Sequence, residues 1–149
     1  MRKPLVVILF AVLFAAVSCR QPRSMELFVP GGEGPFEFAL DMSDSTAAYD
    51  FEFYTRLDGR HRDIETDVEM PLTLVWQSPS DSLFVETVYV PLTGGEETFY
   101  SREVRVPYRS GVVPAEPGIW SLRASLPIRV PGLRGLGLIV NRKAWDTEN

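Results

Sequence analysis

The feature that most constrains the fold is a strict alternation of apolar and polar side chains in two neighbouring segments, residues 36–42 and 49–57. A period of two places the apolar side chains on one face of an extended strand, whereas an amphipathic helix repeats about every 3.6 residues. Both segments therefore predict β-strands, joined by a turn at residues 43–46. The side chains predicted to face the core are Phe36, Phe38, Leu40, Met42, Tyr49, Phe51, Phe53, Thr55 and Leu57.

Further short strands are predicted along the chain, separated by breaks rich in glycine, proline and serine. They cover residues 71–77, 82–90, 103–108, 119–128 and 136–140. The strand at 82–90 carries apolar residues on both faces, which predicts burial on both sides or a bulge. About seven or eight short strands without an amphipathic helix predict an all-β, antiparallel β-sandwich. A jelly-roll-like and an immunoglobulin-like arrangement fit this pattern equally well.

The N-terminus has the pattern of an export signal. Arg2 and Lys3 precede an apolar run at residues 5–17, which is shorter than the roughly 20 apolar residues of a spanning helix. This pattern is typical of a signal peptide helix. Residues 16–19 (AVSC) then resemble the lipobox of bacterial lipoproteins, in which the cysteine carries acyl chains such as palmitate. Cys19 is the only cysteine, so it cannot form an internal disulfide; the alternative is an ordinary buried cysteine in an apolar helix.

These patterns predict the organisation of the whole chain. A lipoprotein signal peptide covers residues 1–18, and the lipidated Cys19 begins a tether that extends to residue 35. Residues 25–29 within the tether are apolar enough to form a short first strand. The β-sandwich domain covers residues 36–143, and residues 144–149 form a polar tail.

Charge excludes one class of function and leaves two interpretations of the surface. The net charge is −5, and removal of Arg2 and Lys3 makes the mature chain more acidic. Nucleic-acid binding, which depends on neutralising phosphates with Lys and Arg, is therefore not predicted. Acidic residues dominate residues 33–69 and basic residues dominate residues 100–143. The structural interpretation is that these halves pair across neighbouring strands or are simply solvated, and the functional one is that they orient the domain against a partner.

No constellation of residues predicts catalysis. His61 is the only histidine and lies in a predicted exposed loop between Arg60 and Arg62, so no catalytic residue is predicted. One histidine and one lipidated cysteine cannot form a metal cluster, and no cofactor is predicted. Residues 41–45 (DMSDS) are weakly similar to a calcium loop, but strand-turn composition explains them equally well.

The aromatic residues allow a structural and a binding interpretation. Tyr49, Phe51 and Phe53, with Trp76 and Trp120, are predicted to lie in the core rather than to form a sugar-stacking platform. Trp145 lies in the polar tail without periodic partners. It is predicted either to fold back over the end of the sandwich or to contact a partner protein.

Three segments carry a resemblance to a known family. Residues 86–92 (ETVYVPL), 118–122 (GIWSL) and 130–140 (VPGLRGLGLIV), together with the lipobox, resemble the gliding-motility lipoprotein H family of Bacteroidota. The resemblance implies a non-enzymatic accessory or scaffolding component of the gliding-motility apparatus, which is linked to type IX secretion. The expected partners are the membrane, through the lipid on Cys19, and other envelope proteins of that machinery.

The residues directly after Cys19 predict where the protein is located. Residues 20–22 (RQP) lack the acidic run associated with surface export in these bacteria, which favours a lipid anchor in the outer membrane with the domain facing the periplasm. The alternative function is an exported β-sandwich lipoprotein that binds a ligand, most plausibly a glycan.

Overall fold

The computed structural model describes residues 23–64 and 69–145, which form antiparallel strands and one helical turn. The signal peptide and Cys19 lie outside the described residues. The helical turn is α1 (His61–Ile64), between the third and fourth strands. The strands are β1 (Ser24–Pro30), β2 (Phe36–Met42), β3 (Ala47–Asp58), β4 (Glu69–Gln77), β5 (Leu83–Pro91), β6 (Glu96–Glu97), β7 (Ser101–Val112), β8 (Gly118–Ser125) and β9 (Leu133–Ala144).

The strands form two antiparallel sheets, with the orders β1-β9-β3-β7-β6 and β2-β8-β4-β5. The pairing is nested, because β1 pairs with β9, β2 with β8, β3 with β7 and β4 with β5. Nested pairing of eight strands across two sheets is the jelly-roll topology, and β6 only extends the edge beside β7. The predicted all-β sandwich is confirmed, in its jelly-roll form and not the immunoglobulin form, whose strand order differs.

The core lies between the inner faces of the two sheets. Side chains of β2 and β3 alternate between buried and more exposed, and every inward position that the sequence predicted on these strands is buried. The sheet of β2 also contributes Leu72 and Leu74 from β4 and Leu122 from β8, and the sheet of β3 contributes Leu136 and Leu138 from β9. Because these side chains meet across the interface, the hydrophobic effect holds the two sheets together.

The inner strand β9 is buried on both faces over residues 135–140. Leu136 and Leu138 point into the core, while Gly135 and Gly137 lie on the outer face. A side chain at these glycines would collide with the rings of Phe28 and Tyr54 respectively. The glycines thus allow two aromatic rings to lie over the outer face of the sheet.

The structure changes three boundaries predicted from the sequence. The tether predicted to reach residue 35 contains β1, which pairs with β9 from Ser24–Asn141 to Pro30–Gly135, so the folded domain begins with β1. The last strand is also longer than residues 136–140 and ends at Ala144. Residues 61–64 form α1, although the sequence predicted an exposed loop at His61.

The two ends of the sandwich carry different connections. Ser24 and the end of β9 lie together, at the end that also carries the loops at residues 43–46, 78–82 and 113–117. We call this the N-terminal end. The loops at residues 31–35 and 126–132 lie at the opposite end, which we call the distal end.

Ion pairs join the acidic first half of the chain to its basic second half. Arg134 Nε lies 2.8 Å from Asp58 Oδ2, and Arg142 Nη1 lies 3.2 Å from Asp44 Oδ2. Lys143 contacts Asp50 across the β3–β9 pair. The uneven charge of the sequence therefore serves pairing between strands, which was one of its two interpretations.

Acid is expected to destabilise the protein in part through Asp50. Lys143, the backbone N–H of Gly111 and the hydroxyl of Ser110 lower the pKa of this carboxyl from 3.8 to about 2. A folded-state pKa below the unfolded value means that the stabilisation is complete above about pH 4 and is lost as the pH falls through about 2. Urea unfolding between these pH values should show a smaller acid-induced loss of stability in Asp50→Asn than in the unsubstituted protein.

Lys143→Met is the matched variant for this measurement, because it removes the largest cause of the lowered Asp50 pKa. Its stability should also depend less on pH in the same interval. An unchanged pH dependence in both variants would contradict the assignment.

Candidate functional site

A cleft of about 280 Å³ opens between the two sheets near the N-terminal end, where β5 faces β7. β5 is the edge strand of its sheet, so the sandwich is open on this side. The apolar side chains that line the cleft are Met42, Phe51, Trp76, Phe84, Val112, Pro114 and Trp120. Glu86 of β5 and Arg109 of β7 are the charged residues at its rim.

Aromatic rings form the walls of the cleft. Trp120 packs edge-to-face on Trp76, with ring centroids 6.5 Å apart, and Phe84 stacks on Trp120 at 6.3 Å. Phe51 contacts the inner side of Trp76 at 5.4 Å. Trp120 is buried, whereas 56% of Phe84 remains exposed, so Phe84 forms the outer wall. Such edge-to-face and stacked contacts hold the rings in fixed orientations.

A hydrogen-bonded group closes the rim between the sheets. Arg109 Nη2 donates to both carboxylate oxygens of Glu86 at 2.9 Å, and the Tyr108 hydroxyl donates to Glu86 Oε1. Trp76 Nε1 donates to the Tyr108 hydroxyl oxygen at 3.0 Å. Burial and the neighbouring Glu86 carboxylate raise the pKa of Tyr108, so this phenol stays protonated. The polar groups at the rim therefore form hydrogen bonds with one another.

β5 has a free edge beside the cleft. It pairs with β4 without a register shift, so the predicted bulge is absent from this strand. The prediction of burial on both faces is also wrong, because the outward-facing Leu83, Val85 and Tyr89 are exposed. An edge strand this long with no charged side chain on its outer face is unusual, since edge strands commonly carry charges that prevent pairing with other chains.

Trp145, the predicted site residue that lies within the described part of the chain, does not line the cleft. Cys19 is outside the described residues. Trp145 lies at the N-terminal end, where its backbone N–H donates to the carbonyl oxygen of Thr46 at 2.9 Å. About half of the residue stays exposed. Tyr49, Phe51 and Phe53 are buried as predicted, and Trp76 and Trp120 lie between the core and the cleft.

The turn at residues 43–46 uses its carboxylates locally. Asp41 Oδ1 accepts hydrogen bonds from the N–H and hydroxyl of Ser43, and Asp44 Oδ1 accepts those of Thr46. Thr46 and Arg142 lower the pKa of Asp44. These contacts match the strand-turn interpretation of residues 41–45. Within residues 23–64 and 69–145, no group of three or more potential ligands is arranged to hold a metal ion.

A second exposed aromatic feature was not predicted from the sequence. Phe99 and Tyr100 occupy the tip of a tight turn in which the Thr98 N–H donates to the Ser101 carbonyl oxygen at 2.8 Å. Their rings contact each other at 4.8 Å and are both largely exposed. The available sequence signal was two adjacent aromatic residues directly after a polar, glycine-containing loop.

Comparisons with known proteins assign no family. No protein-family model and no curated protein matches the sequence. Similar solved structures include a protein from Sulfurospirillum deleyianum (TM-score 0.41, 8% identity), which covers 83% of this chain and 99% of that one. PirA has a TM-score of 0.37 and 10% identity, with 85% and 99% of the two chains covered.

A third similar structure is an arabinose-bound α-L-arabinofuranosidase (TM-score 0.37, 13% identity). It covers 82% of this chain, but this chain spans only 20% of that enzyme. All three similarities are too low to assign a function.

The helix that the structure describes, α1, has four residues and is too short to cross a membrane.

Proposed function

We propose that the chain is a non-enzymatic, lipid-anchored protein of the bacterial envelope whose jelly-roll domain binds another envelope protein. The acyl chains on Cys19 hold it to the outer membrane with the domain in the periplasm. The observation that supports partner binding is the aromatic cleft directly beside the free edge of β5. Rigid aromatic pockets are typical energetic centres of protein interfaces.

The cleft and the β5 edge together suit an extended segment of the partner. Such a segment adds a strand to β5 through main-chain hydrogen bonds, and the exposed Val85 and Tyr89 supply apolar contacts beside it. One apolar side chain of the segment then enters the cleft beside Phe84. Affinity comes from the added strand, and specificity comes from the side chain in the cleft.

The lining favours a protein ligand over a glycan. A sugar requires several free hydrogen-bonding groups beside the aromatic ring on which it stacks. The charged residues at the rim, Glu86 and Arg109, already satisfy each other, and the other lining side chains are mainly apolar. Glycan binding would require this pair to separate.

The resemblance to the gliding-motility lipoprotein H family supports a further part of the proposal, the identity of the partner. We expect a component of the gliding-motility or type IX secretion apparatus. A clean deletion strain in a gliding host should therefore lose gliding or the display of secreted proteins.

Phe84→Ser is expected to weaken partner binding at least about thirtyfold without unfolding the domain. The variant removes the outer wall of the cleft, and loss of an interface centre of this kind costs about 2 kcal/mol or more, roughly thirtyfold in affinity. Because Phe84 is 56% exposed, stability should fall by only about 1 kcal/mol. A photo-crosslinking residue at Thr87, in the middle of β5, measures binding in intact cells, and complementation of the deletion strain measures function.

Ile128→Ser is the matched control, because Ile128 is 57% exposed but lies at the distal end. It should retain the crosslinked species and restore the deletion strain. Crosslinking that is equally strong in Phe84→Ser would contradict the role of the cleft. Normal gliding and secretion in the deletion strain would contradict the proposed partner.

A further inference from the structure

We propose that the domain stands on the bilayer with its N-terminal end, and that exposed apolar side chains around this end contact the lipid surface. This orientation rests on the lipid anchor at Cys19 proposed above. The membrane-facing surface differs from the cleft, and it contacts the bilayer rather than another protein.

The length of chain between the anchor and the first strand restricts the orientation. Cys19 lies five positions before Ser24, where pairing with Asn141 begins. The Arg142 N–H also donates to the Arg23 carbonyl oxygen at 2.7 Å, which fixes the chain one residue earlier. An extended chain covers at most about 3.6 Å per residue, so Ser24 lies within about 18 Å of the lipidated residue.

That reach is short compared with the sandwich. A strand of 12 residues, such as β3 or β9, extends about 40 Å. The N-terminal end can therefore reach the membrane while the distal end points away from it. A tether that extended to residue 35, as the sequence suggested, would have left the orientation free. Because β1 begins so soon after Cys19, its position determines which end of the anchored domain faces the membrane.

The side chains around the N-terminal end suit a lipid interface. Leu83 is the first residue of β5, Ile119 is the second residue of β8, and Val113 follows β7; all three are exposed. Trp145 extends from the end of β9, with its backbone fixed to Thr46 and its indole half exposed. Tryptophan is enriched at membrane–water interfaces because its ring is apolar and its N–H is polar.

Among the described residues, the carboxylates of the loops at this end are engaged within the protein. Arg142 pairs with Asp44, Ser80 donates to Glu116 Oε2 at 2.7 Å, and Gln77 donates to Asp81 Oδ1 at 2.8 Å. Local hydrogen bonds therefore already satisfy oxygens that would otherwise depend on water alone. Arg23, exposed directly before β1, adds a cation close to the anchor, where lipid phosphates lie.

Two isoleucines provide a matched pair of probes. Ile119 is 58% exposed at the N-terminal end and Ile128 is 57% exposed at the distal end. The mature lipoprotein, carrying Ile119→Cys or Ile128→Cys, is labelled with a thiol-reactive fluorophore and reconstituted into phosphatidylethanolamine and phosphatidylglycerol vesicles that contain doxyl-labelled lipid. Acylation of Cys19 leaves the introduced cysteine as the labelled position. Leu83→Cys is a second probe at the N-terminal end.

The labels at Ile119→Cys and Leu83→Cys should be quenched at least threefold more strongly than the label at Ile128→Cys. Equal quenching at the two ends would mean that the domain lies on its side, and it would overturn the orientation while the anchor stands. Mass spectrometry of the same samples tests the anchor separately. Recovery of Cys19 without acyl chains, with the protein released from the vesicles, would overturn both the orientation and the lipid-anchor proposal.

Discussion

Cys19→Ser, in a chain whose signal peptide is still removed, is expected to release the protein from the membrane fraction and to abolish its activity in the cell, while the domain remains folded. Each buried methylene of an acyl chain contributes about 0.8 kcal/mol to membrane binding, so the loss of two or more chains removes nearly all of the attachment. The fold should persist because the core consists of residues from β2 onwards and the first strand begins after Cys19, at Ser24. Fractionation and circular dichroism measure the two outcomes.

The uncleaved signal requires a second variant. Serine cannot be acylated before cleavage, and a retained apolar run at residues 5–17 would itself hold the protein at a membrane. A companion variant therefore replaces residues 1–19 with a secretory signal that is cleaved without lipidation. This variant should be soluble in the periplasm and should fail to complement the deletion strain. Full complementation by the soluble domain would show that the anchor is dispensable.

The sequence predicted the strands whose two faces meet different environments. β2 and β3 each have one face in the core and one face towards solvent, so their side chains alternate and the inward set can be identified directly. β1 was harder to predict because it is a short, half-buried edge strand with no fully buried side chain. Its place in the domain depends on pairing with β9, more than one hundred residues later in the chain, which no local pattern contains.

β5 shows why the candidate site could not be predicted. Apolar residues on both faces of a strand normally indicate burial on both faces. Here the inner face reaches the cleft and the core, while the outer face at Val85 and Tyr89 is exposed at an open edge. The same pattern therefore fits a buried strand and an unpaired binding edge. Only the strand order distinguishes the two, and the strand order follows from the nested pairing of the whole chain.

Gly132→Ala is expected to be strongly destabilising, although Gly132 is exposed. Its φ of +78° lies in a region that L side chains rarely adopt, and a Cβ there would collide with the carbonyl group of Asp58 at the end of β3. The colliding atoms are backbone and cannot rotate away. Relief requires the loop to move, which stretches the 2.8 Å hydrogen bond from the Asp58 N–H to the Gly132 carbonyl oxygen. We expect a loss of about 3 kcal/mol in the free energy of unfolding, from strain and this lost contact together.

Gly94→Ala separates the two causes of that loss. Gly94 has a comparable φ of +89°, but a Cβ there would meet no atom within 4 Å. Its substitution should therefore cost only the strain of the left-handed conformation, about 1 kcal/mol. Urea unfolding of both variants measures the difference, which reports how firmly the β8–β9 loop is held against β3. Equal losses in the two variants would mean that this loop moves freely, and that contact with Asp58 does not hold the distal end of the sandwich closed.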